Sequence, residues 1–138
     1  MGGYLSELTA ERIEELRRWH EDASAEIHRL GAHDVEYLGL RLHVPEHVFP
    51  PTPTSDLLGR AVMANVRPGQ RVLDMGCGAG ANAILAAQIT DDVVAVDVNP
   101  YAVAATAANA ERNGVAARVG KCRRSQLSRP ACVLHNQE

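Results

Sequence analysis

The chain has 138 residues, of which 46% are apolar and 22% are charged, a balance typical of a soluble globular domain. Its formal net charge of −3 gives no overall basic field of the kind that attracts a protein to nucleic acid. The three cysteines have no metal-like spacing, so we expect neither a disulfide framework nor a metal site. No stretch approaches the roughly 18 apolar residues of a membrane span, and the first residues carry no signal-peptide pattern. We therefore expect a cytoplasmic protein without a membrane partner.

The N-terminal segment predicts an amphipathic helix from Thr9 to Leu30. Apolar residues recur there at intervals of three and four positions, with charged residues between them. Thr9 is a suitable N-cap residue, and Gly31 is a suitable stop at the C-terminal end. We expect this helix to pack against one face of the core.

The next segment predicts strand structure followed by a spacer. Residues from Asp34 to Val44 alternate between apolar and polar types, which indicates one half-buried strand. His47 to Phe49 is expected to return beside it as a short partner strand, completing a β-hairpin. The proline-rich stretch from Pro50 to Thr54 is an extended linker. It leads into a helix expected to direct these residues inward: Leu57, Leu58, Ala61, Val62 and Val66.

The central stretch, Arg71 to Gly80, reads R-V-L-D-M-G-C-G-A-G. A short strand ends in an acid, enters a glycine-rich turn and opens an alanine-rich helix. Glycines let the backbone pass close to a ligand, and the N-terminus of the helix directs N–H groups toward it. A second apolar strand, Val93 to Val98, carries another acid, Asp97, near its end. This pattern is typical of half of a nucleotide-cofactor site.

The alternation of strands and helices predicts an α/β fold with a Rossmann-like parallel sheet, and we expect a third strand near Ala117 to Val119. Three segments follow from this interpretation. Residues 1–50 form an extension with the N-terminal helix and the β-hairpin, residues 51–119 form the cofactor-binding core, and residues 120–138 form an atypical tail. The tail has four basic residues and one acidic residue, whereas acidic residues prevail before it.

The tail contains one strand-like run, Ala131 to Leu134. One interpretation places this run as a fourth strand beside the first core strand, at Val72 and Leu73. If this run does not pair with it, the first core strand is an apolar edge strand of the sheet. We then expect the chain to form homo-oligomers through this edge.

The glycine turn is compatible with two cofactors. The spacing of glycines and alanine from Gly76 to Ala81, with Asp97 about 20 residues further on, satisfies the dinucleotide fingerprint. Asp74, the third glycine at position 80, and the long segment before the first core strand favour S-adenosylmethionine. An acid at position 74 would face a pyrophosphate group unfavourably, whereas it would attract the ammonium group of methionine. A fragment of an NAD(P)-binding oxidoreductase stays open as the alternative.

Two motifs carry a family resemblance. V-L-D-M-G-C-G-A-G together with V-V-A-V-D-V-N-P-Y-A-V resembles the first two motifs of the class I S-adenosylmethionine-dependent methyltransferases, over about Val72 to Gly114. Upstream, V-F-P-P-T-P-T-S-D-L-L resembles the proline-containing segment of the release-factor glutamine methyltransferases and their adenine-N6 relatives. The resemblance implies transfer of a methyl group to a planar nitrogen. The expected partner is a methyl-acceptor protein or nucleic acid.

The resemblance also implies roles for individual residues. Asp74 would lie near the amino group of the cofactor's methionine. Asp97 would accept hydrogen bonds from both ribose hydroxyls, with Val98 against the adenine. The backbone of the turn would line the methionine and ribose: Gly76, Cys77, Gly78, Ala79 and Gly80. The thiol of Cys77 is interpreted as a small filler and not as a nucleophile, because no basic residue is near it in sequence.

No catalytic residue can be assigned from the sequence. Related families hold the acceptor with an N-P-P-aromatic segment after the fourth strand, and the sequence contains no such segment. Their catalytic domains continue through four more strands, so the sequence predicts a form truncated after the third core strand. A non-catalytic binding module that retains only the cofactor half-site is a further alternative.

Overall fold

The computed structural model describes residues 8–122 and 132–135. The four helices in this part of the chain are α1 (Ala10–Leu30), α2 (Ser55–Asn65), α3 (Ala81–Ala87) and α4 (Pro100–Arg112). The six strands are β1 (His33–Tyr37), β2 (Leu40–Val44), β3 (Arg71–Met75), β4 (Asp92–Asp97), β5 (Lys121–Cys122) and β6 (Cys132–His135). β1 and β2 form an antiparallel hairpin, and the other four strands form a sheet in the order β3-β4-β6-β5.

The parallel pair of β3 and β4 is the centre of the fold. Arg71 lies opposite Asp92 and Met75 lies opposite Val96, and α3 connects the two strands. This arrangement confirms the predicted α/β class with a parallel sheet. The third parallel strand expected near residue 119 is reduced to a single bridge between Val119 and Val93.

β6 occupies a different place from the one that the sequence suggested. It pairs antiparallel with the C-terminal half of β4, where Cys132 lies opposite Asp97 and Leu134 lies opposite Ala95. The interpretation that placed this run beside Val72 and Leu73 is therefore wrong. Beyond the Val119 bridge the outer edge of β4 accepts a strand, and an antiparallel return needs no long crossover connection. Within the described residues, β3 lies at one edge of the sheet.

The N-terminal hairpin lies inside the run that was predicted to be a single strand. Leu38 and Gly39 have φ values of 46° and 84° and form a two-residue turn, so that Tyr37 faces Leu40. Positive φ at both central residues is the geometry preferred in tight hairpins. The turn was missed because Leu38 continues the apolar alternation of the following strand. The segment from His47 to Phe49, expected as the partner strand, is not a strand in the structure.

The core is formed by α3, by the inner face of the hairpin and by the inner side of the sheet. Residues 83–87 of α3 are all buried, and they belong to one apolar cluster with Leu40, Leu42 and Val93. Tyr37 belongs to the same cluster and also donates a hydrogen bond of 2.6 Å to the carbonyl of Ser55. The hairpin is thus packed directly against the helices that follow it.

Helix α2 packs on the core through only part of the expected face: Val62 and Val66 contact the core cluster, whereas Leu57, Leu58 and Ala61 are exposed. Leu57 and Leu58 are 75% and 57% exposed, whereas Gly59 is buried. A Cβ atom at Gly59 would collide with the Tyr37 hydroxyl and with Leu38. The helix approaches the hairpin closely at this glycine, and the two leucines are consequently turned toward solvent.

Apolar surface also remains exposed on α1 and on the sheet. Ile13, Leu16 and Trp19 of α1 are 44%, 40% and 67% exposed, so the expectation that α1 packs on the core is wrong for the described residues. Leu73 and Met75 of β3 are exposed as well, on the face of the sheet opposite the buried α3. Among the described residues, no helix is both long and apolar enough to cross a membrane.

Candidate functional site

The site lies where the glycine turn after β3 meets the C-terminal end of β4. Ligands of open α/β sheets bind at the carboxyl ends of the parallel strands, because loops and helix N-termini converge there. The backbone N–H groups of Gly76 and Cys77 both donate to the carbonyl of Val96, at 2.7 and 3.0 Å. The turn is thereby fixed to β4 one residue before Asp97.

The three glycines of the turn have distinct local requirements. Gly76, Gly78 and Gly80 have φ values of 77°, 54° and 89°, a region that residues with a side chain rarely adopt. A Cβ atom at Gly80 would lie 2.9 Å from side-chain atoms of Thr106, whereas one at Gly76 would meet open space. Gly80 is therefore required by conformation and by packing, while the open space beside Gly76 leaves the backbone accessible to a ligand.

The structure brings Asp97 against this turn. One carboxylate oxygen accepts a 2.9 Å hydrogen bond from the N–H of Gly78, and the other accepts a 2.9 Å bond from the N–H of Asn99. Each oxygen keeps a further lone pair, so the carboxylate can still accept from two adjacent hydroxyl groups. Asn99 in turn caps α4 by accepting from the N–H of Tyr101 at 3.0 Å. Asp97 thus links the turn to the start of α4.

Asp74 lies on the inner side of β3 and contacts the first turn of α3. Its carboxylate accepts a 3.0 Å hydrogen bond from the N–H of Ala83. Burial raises the pKa of Asp74, and the nearby charge of Asp97 raises that pKa further. A cation bound beside Asp74 would favour the ionised form of this carboxyl. The structure therefore gives Asp74 a role in holding the first turn of α3, in surroundings where a positive partner would stabilise its charge.

Cys77 and Ala79 occupy the buried side of the turn. The hydroxyl of Thr106 contacts the Cys77 sulfur at 3.3 Å and donates to the carbonyl of Gly78 at 3.1 Å. Burial is the main cause that raises the pKa of the Cys77 thiol to about 11. The thiol therefore stays protonated near neutral pH, which agrees with its interpretation as a filler.

Val98 and the residues around it form the exposed side of the site. Val98 is 79% exposed at the end of β4, and Tyr101 is 57% exposed on the first turn of α4. The ring of Tyr101 lies 5.2 Å from the ring of His47, whose carbonyl accepts a 2.6 Å hydrogen bond from the side chain of Asn99. The segment before the proline linker thus reaches the site, which the sequence reasoning did not foresee.

Two polar residues of α4 were also missed. Thr106 and Asn109 are buried and hold the carbonyls of the glycine turn. Their position in the sequence could have identified them. Thr106 and Asn109 are polar residues in an otherwise alanine-rich stretch. They are three positions apart, so they share one face of the helix.

These features fit a ligand that carries hydroxyl groups and a positive charge. The site offers the two carboxylates of Asp74 and Asp97 and the backbone of the glycine turn. No cluster of three potential metal ligands occurs in residues 8–122 and 132–135. The arrangement is suited to binding and positioning a cofactor, and the residues present fit S-adenosylmethionine, which has adjacent ribose hydroxyls and an ammonium group.

Comparison with known families decides the class of this site. The family model of the ribosomal protein L11 methyltransferases (PrmA) matches residues 52–133, more than half of the chain. The chain belongs to this family. The predicted class, the S-adenosylmethionine-dependent methyltransferases, is thereby confirmed, and S-adenosylmethionine is its cofactor.

Curated relatives in this family match the same part of the chain. The ribosomal protein L11 methyltransferase of Cupriavidus metallidurans is 48% identical over 66 residues, which are 47% of this chain and 22% of the relative. The enzyme of the same name from Thermus thermophilus is 40% identical over 65 residues, or 47% of this chain and 26% of the relative. The chain spans about a quarter or less of the length of these relatives.

Solved structures agree with the fold. Trm5b from Pyrococcus abyssi matches with a TM-score of 0.58 and 27% identity, over 64% of this chain and 26% of that chain. Trm5 from Methanocaldococcus jannaschii, solved in complex with adenosine, matches with the same TM-score and 23% identity, over 64% of this chain and 28% of that chain. The second likeness shows the fold alone.

Proposed function

We propose that this chain binds S-adenosylmethionine at the glycine turn and serves as the cofactor half of a methyltransferase. The observation that carries the proposal is the 2.9 Å hydrogen bond between the N–H of Gly78 and the carboxylate of Asp97. It joins the two sequence motifs, 19 residues apart, into one site. Family membership supports the same conclusion.

Each residue of the site has a proposed part in holding the cofactor. Asp97 would accept hydrogen bonds from the two ribose hydroxyls, with Val98 beside the adenine. Asp74 would face the methionine ammonium group, whose positive charge would counter the burial that raises the pKa of this carboxyl. The backbone of residues 76–80 would line the methionine and ribose.

The chemistry places few demands on the protein. The sulfonium group of S-adenosylmethionine supplies a methyl group that is already activated for transfer. The protein has to hold the acceptor and the methyl group in line at short distance, which lowers the entropic part of the barrier. The proposed residues bind and orient, and none of them has to move a proton.

For the acceptor, we propose a planar nitrogen of a protein or nucleic acid. The proline-containing segment before the core, similar to that of the glutamine and adenine-N6 methyltransferases, supports this class. The name of the curated relatives, ribosomal protein L11 methyltransferase, favours a protein among the two. The sequence contains no N-P-P-aromatic segment, and we assign no catalytic residue.

The lack of an N-P-P-aromatic segment in the sequence supports a second candidate function, a binding module that holds the cofactor without transferring its methyl group. Incubation with labelled S-adenosylmethionine and ribosomal protein L11 separates the two functions. Methyl transfer to the acceptor would support the enzyme. Tight cofactor binding without transfer to any nitrogen acceptor tested would support the binding module.

Calorimetry with S-adenosylhomocysteine and with adenosine tests the cofactor site. We expect Asp97→Ala to abolish measurable binding of both compounds, because adenosine carries the ribose hydroxyls. Asp74→Asn should weaken only S-adenosylhomocysteine, because adenosine has no ammonium group. Asp92→Ala is the matched control, since Asp92 lies at the opposite end of β4 and pairs with Arg71 at the surface. Unchanged binding by Asp97→Ala would overturn the assignment, and binding of NADH instead would favour the oxidoreductase alternative.

A further inference from the structure

Helix α4 and strand β2 are joined by two asparagine side chains. Asn109 accepts a 2.8 Å hydrogen bond from the N–H of His43 and donates one of 2.8 Å to the carbonyl of the same residue. Asn113 makes the equivalent pair with Arg41, at 3.1 and 2.9 Å. Each side-chain amide therefore satisfies both backbone polar groups of one strand residue.

The match follows from the geometry of the two elements. Alternate residues of a strand are about 6.8 Å apart, and residues four apart on a helix are about 6 Å apart along the axis. Arg41 and His43 are alternate residues of β2, and Asn113, the C-cap residue of α4, follows Asn109 by four positions. Since β1 pairs with the other edge of β2, the two amides take the place of a neighbouring strand.

Asn109 has one contact that Asn113 lacks. Its amide nitrogen also donates a 2.9 Å hydrogen bond to the carbonyl of Ala79, within the glycine turn. The amide nitrogen of Asn113, the C-cap residue of α4, donates instead to the carbonyl of Asn109 in the last turn of that helix. Asn109 is 1% exposed, so water does not replace a bond that is lost there. Asn109 thus joins the hairpin to the glycine turn, whereas Asn113 holds only the hairpin.

The contacts with α4 also set the orientation of the turn. Asn109 holds the carbonyl of Ala79, and Thr106 holds the carbonyl of Gly78 at 3.1 Å. In a planar trans peptide the N–H points opposite to the carbonyl, so these bonds direct the following N–H groups away from α4. These two bonds hold the carbonyl side of the turn, while the N–H groups of Gly78 and Gly80 are held by Asp97 and by the carbonyl of Cys77.

We infer that Asn109 is a positioning residue that couples the N-terminal hairpin to the cofactor-binding turn. This inference rests on the proposed function, in which the turn holds the cofactor. Its consequence is that the hairpin contributes to cofactor affinity although none of its side chains is assigned to the cofactor. A change that separates Asn109 from the backbone of His43 should loosen residues 76–80, whereas a change confined to the Arg41 end of β2 should not.

Two variants test the inference. We expect Asn109→Ala to weaken binding of S-adenosylhomocysteine about tenfold, the effect of losing hydrogen bonds to a buried amide. Asn113→Ala should leave that affinity within about twofold of the parent value, although it also loses its bonds to the hairpin. Calorimetry is performed well below the thermal midpoints of all variants. Equal affinity losses in the two variants, or no loss in Asn109→Ala, would overturn the inference.

Hydrogen exchange provides a readout that needs no cofactor. In the ligand-free chain, Asn109→Ala should accelerate exchange of the Gly76, Cys77 and Gly80 amides, while Asn113→Ala should accelerate only amides of the hairpin. If Asn109→Ala does not fold, Asn109→Ser is used in its place. If the parent chain binds no cofactor, the proposed function fails, while unchanged exchange at the turn would independently refute the coupling.

Discussion

The acidic residues of the site serve the fold and are suited to a ligand at the same time. Asp74 holds the first turn of α3, and Asp97 holds the glycine turn and the start of α4. A carboxylate can do both, because it has two oxygens with two lone pairs each. The sequence identified both acids by their position after apolar strands. It could not show their bonds to backbone N–H groups, which depend on the folded turn.

Asp74 should give stability and cofactor binding opposite dependences on pH. Its folded-state pKa lies above the ordinary value of 3.8. Between the ordinary pKa and the folded-state pKa, the native state therefore binds more protons than the unfolded chain. The contribution of Asp74 to stability is present below the ordinary pKa and is lost as the pH rises through the folded-state pKa. Binding of an ammonium group needs the carboxylate, so affinity for S-adenosylhomocysteine should rise with pH through the same window.

Urea unfolding and calorimetry across the acid range measure the two effects. Asp74→Asn should remove the part of each pH dependence that belongs to this residue. Adenosine provides the control, since its binding should depend on pH in the same way in the parent chain and in Asp74→Asn. An identical pH profile for S-adenosylhomocysteine in both proteins would contradict the assignment of Asp74 to the ammonium group.

Cys77 should be unreactive in the folded chain. With a pKa of about 11, only about one thiol in ten thousand is ionised at pH 7, and the side chain is buried as well. We expect slow alkylation of Cys77 by iodoacetamide in buffer and rapid alkylation in urea, measured by mass spectrometry of the peptide that contains it. Rapid labelling of the folded chain would show that the residue is a reactive thiol.

At the scale of elements, local signals in the sequence were reliable and signals that depend on distant contacts were not. Asn99 followed by Pro100 is a typical local signal for a helix start, and α4 begins at Pro100 with Asn99 as its N-cap. The part of the α2 face that packs on the core could not be predicted, because it is set by the contact between Gly59 and Tyr37, which belongs to another element. The hairpin turn was hidden because a leucine occupies a positive φ that glycine or asparagine usually adopts.

The connection between the glycine turn and α4 gives a stability prediction. Gly76→Ala and Gly80→Ala should each lower the free energy of unfolding by about 1–2 kcal/mol, because both positions have a positive φ. Gly80→Ala should cost about 1–3 kcal/mol more, since its Cβ would lie 2.9 Å from Thr106. Urea unfolding measures both variants, with Gly76→Ala as the control for conformation alone. Equal losses would show that Thr106 moves aside without cost.

At the scale of the whole molecule, the described chain has helices against one face of the central sheet. Alternation along β3 places Val72 and Asp74 toward α3, and leaves Leu73 and Met75 on the other face. The order of β3, α3 and β4 was predictable, because each element has its own periodicity and caps. The antiparallel place of β6 was not, because it depends on which sheet edge is left open after the Val119 bridge.

We expect this chain to self-associate through β3, with a second copy as the partner. β3 is an edge strand within the described residues, and Leu73 and Met75 are 57% and 76% exposed on it. Unpaired edge strands with apolar side chains tend to pair with another chain, and a charged residue on the edge opposes such pairing. Sedimentation velocity should show a dimer that increases with protein concentration. Leu73→Lys should lower the dimer fraction, whereas Leu57→Lys, at an apolar position on α2 that is even more exposed (75%), should not. A parent chain that stays monomeric at every concentration, or a Leu57→Lys variant that dissociates equally, would exclude pairing through β3.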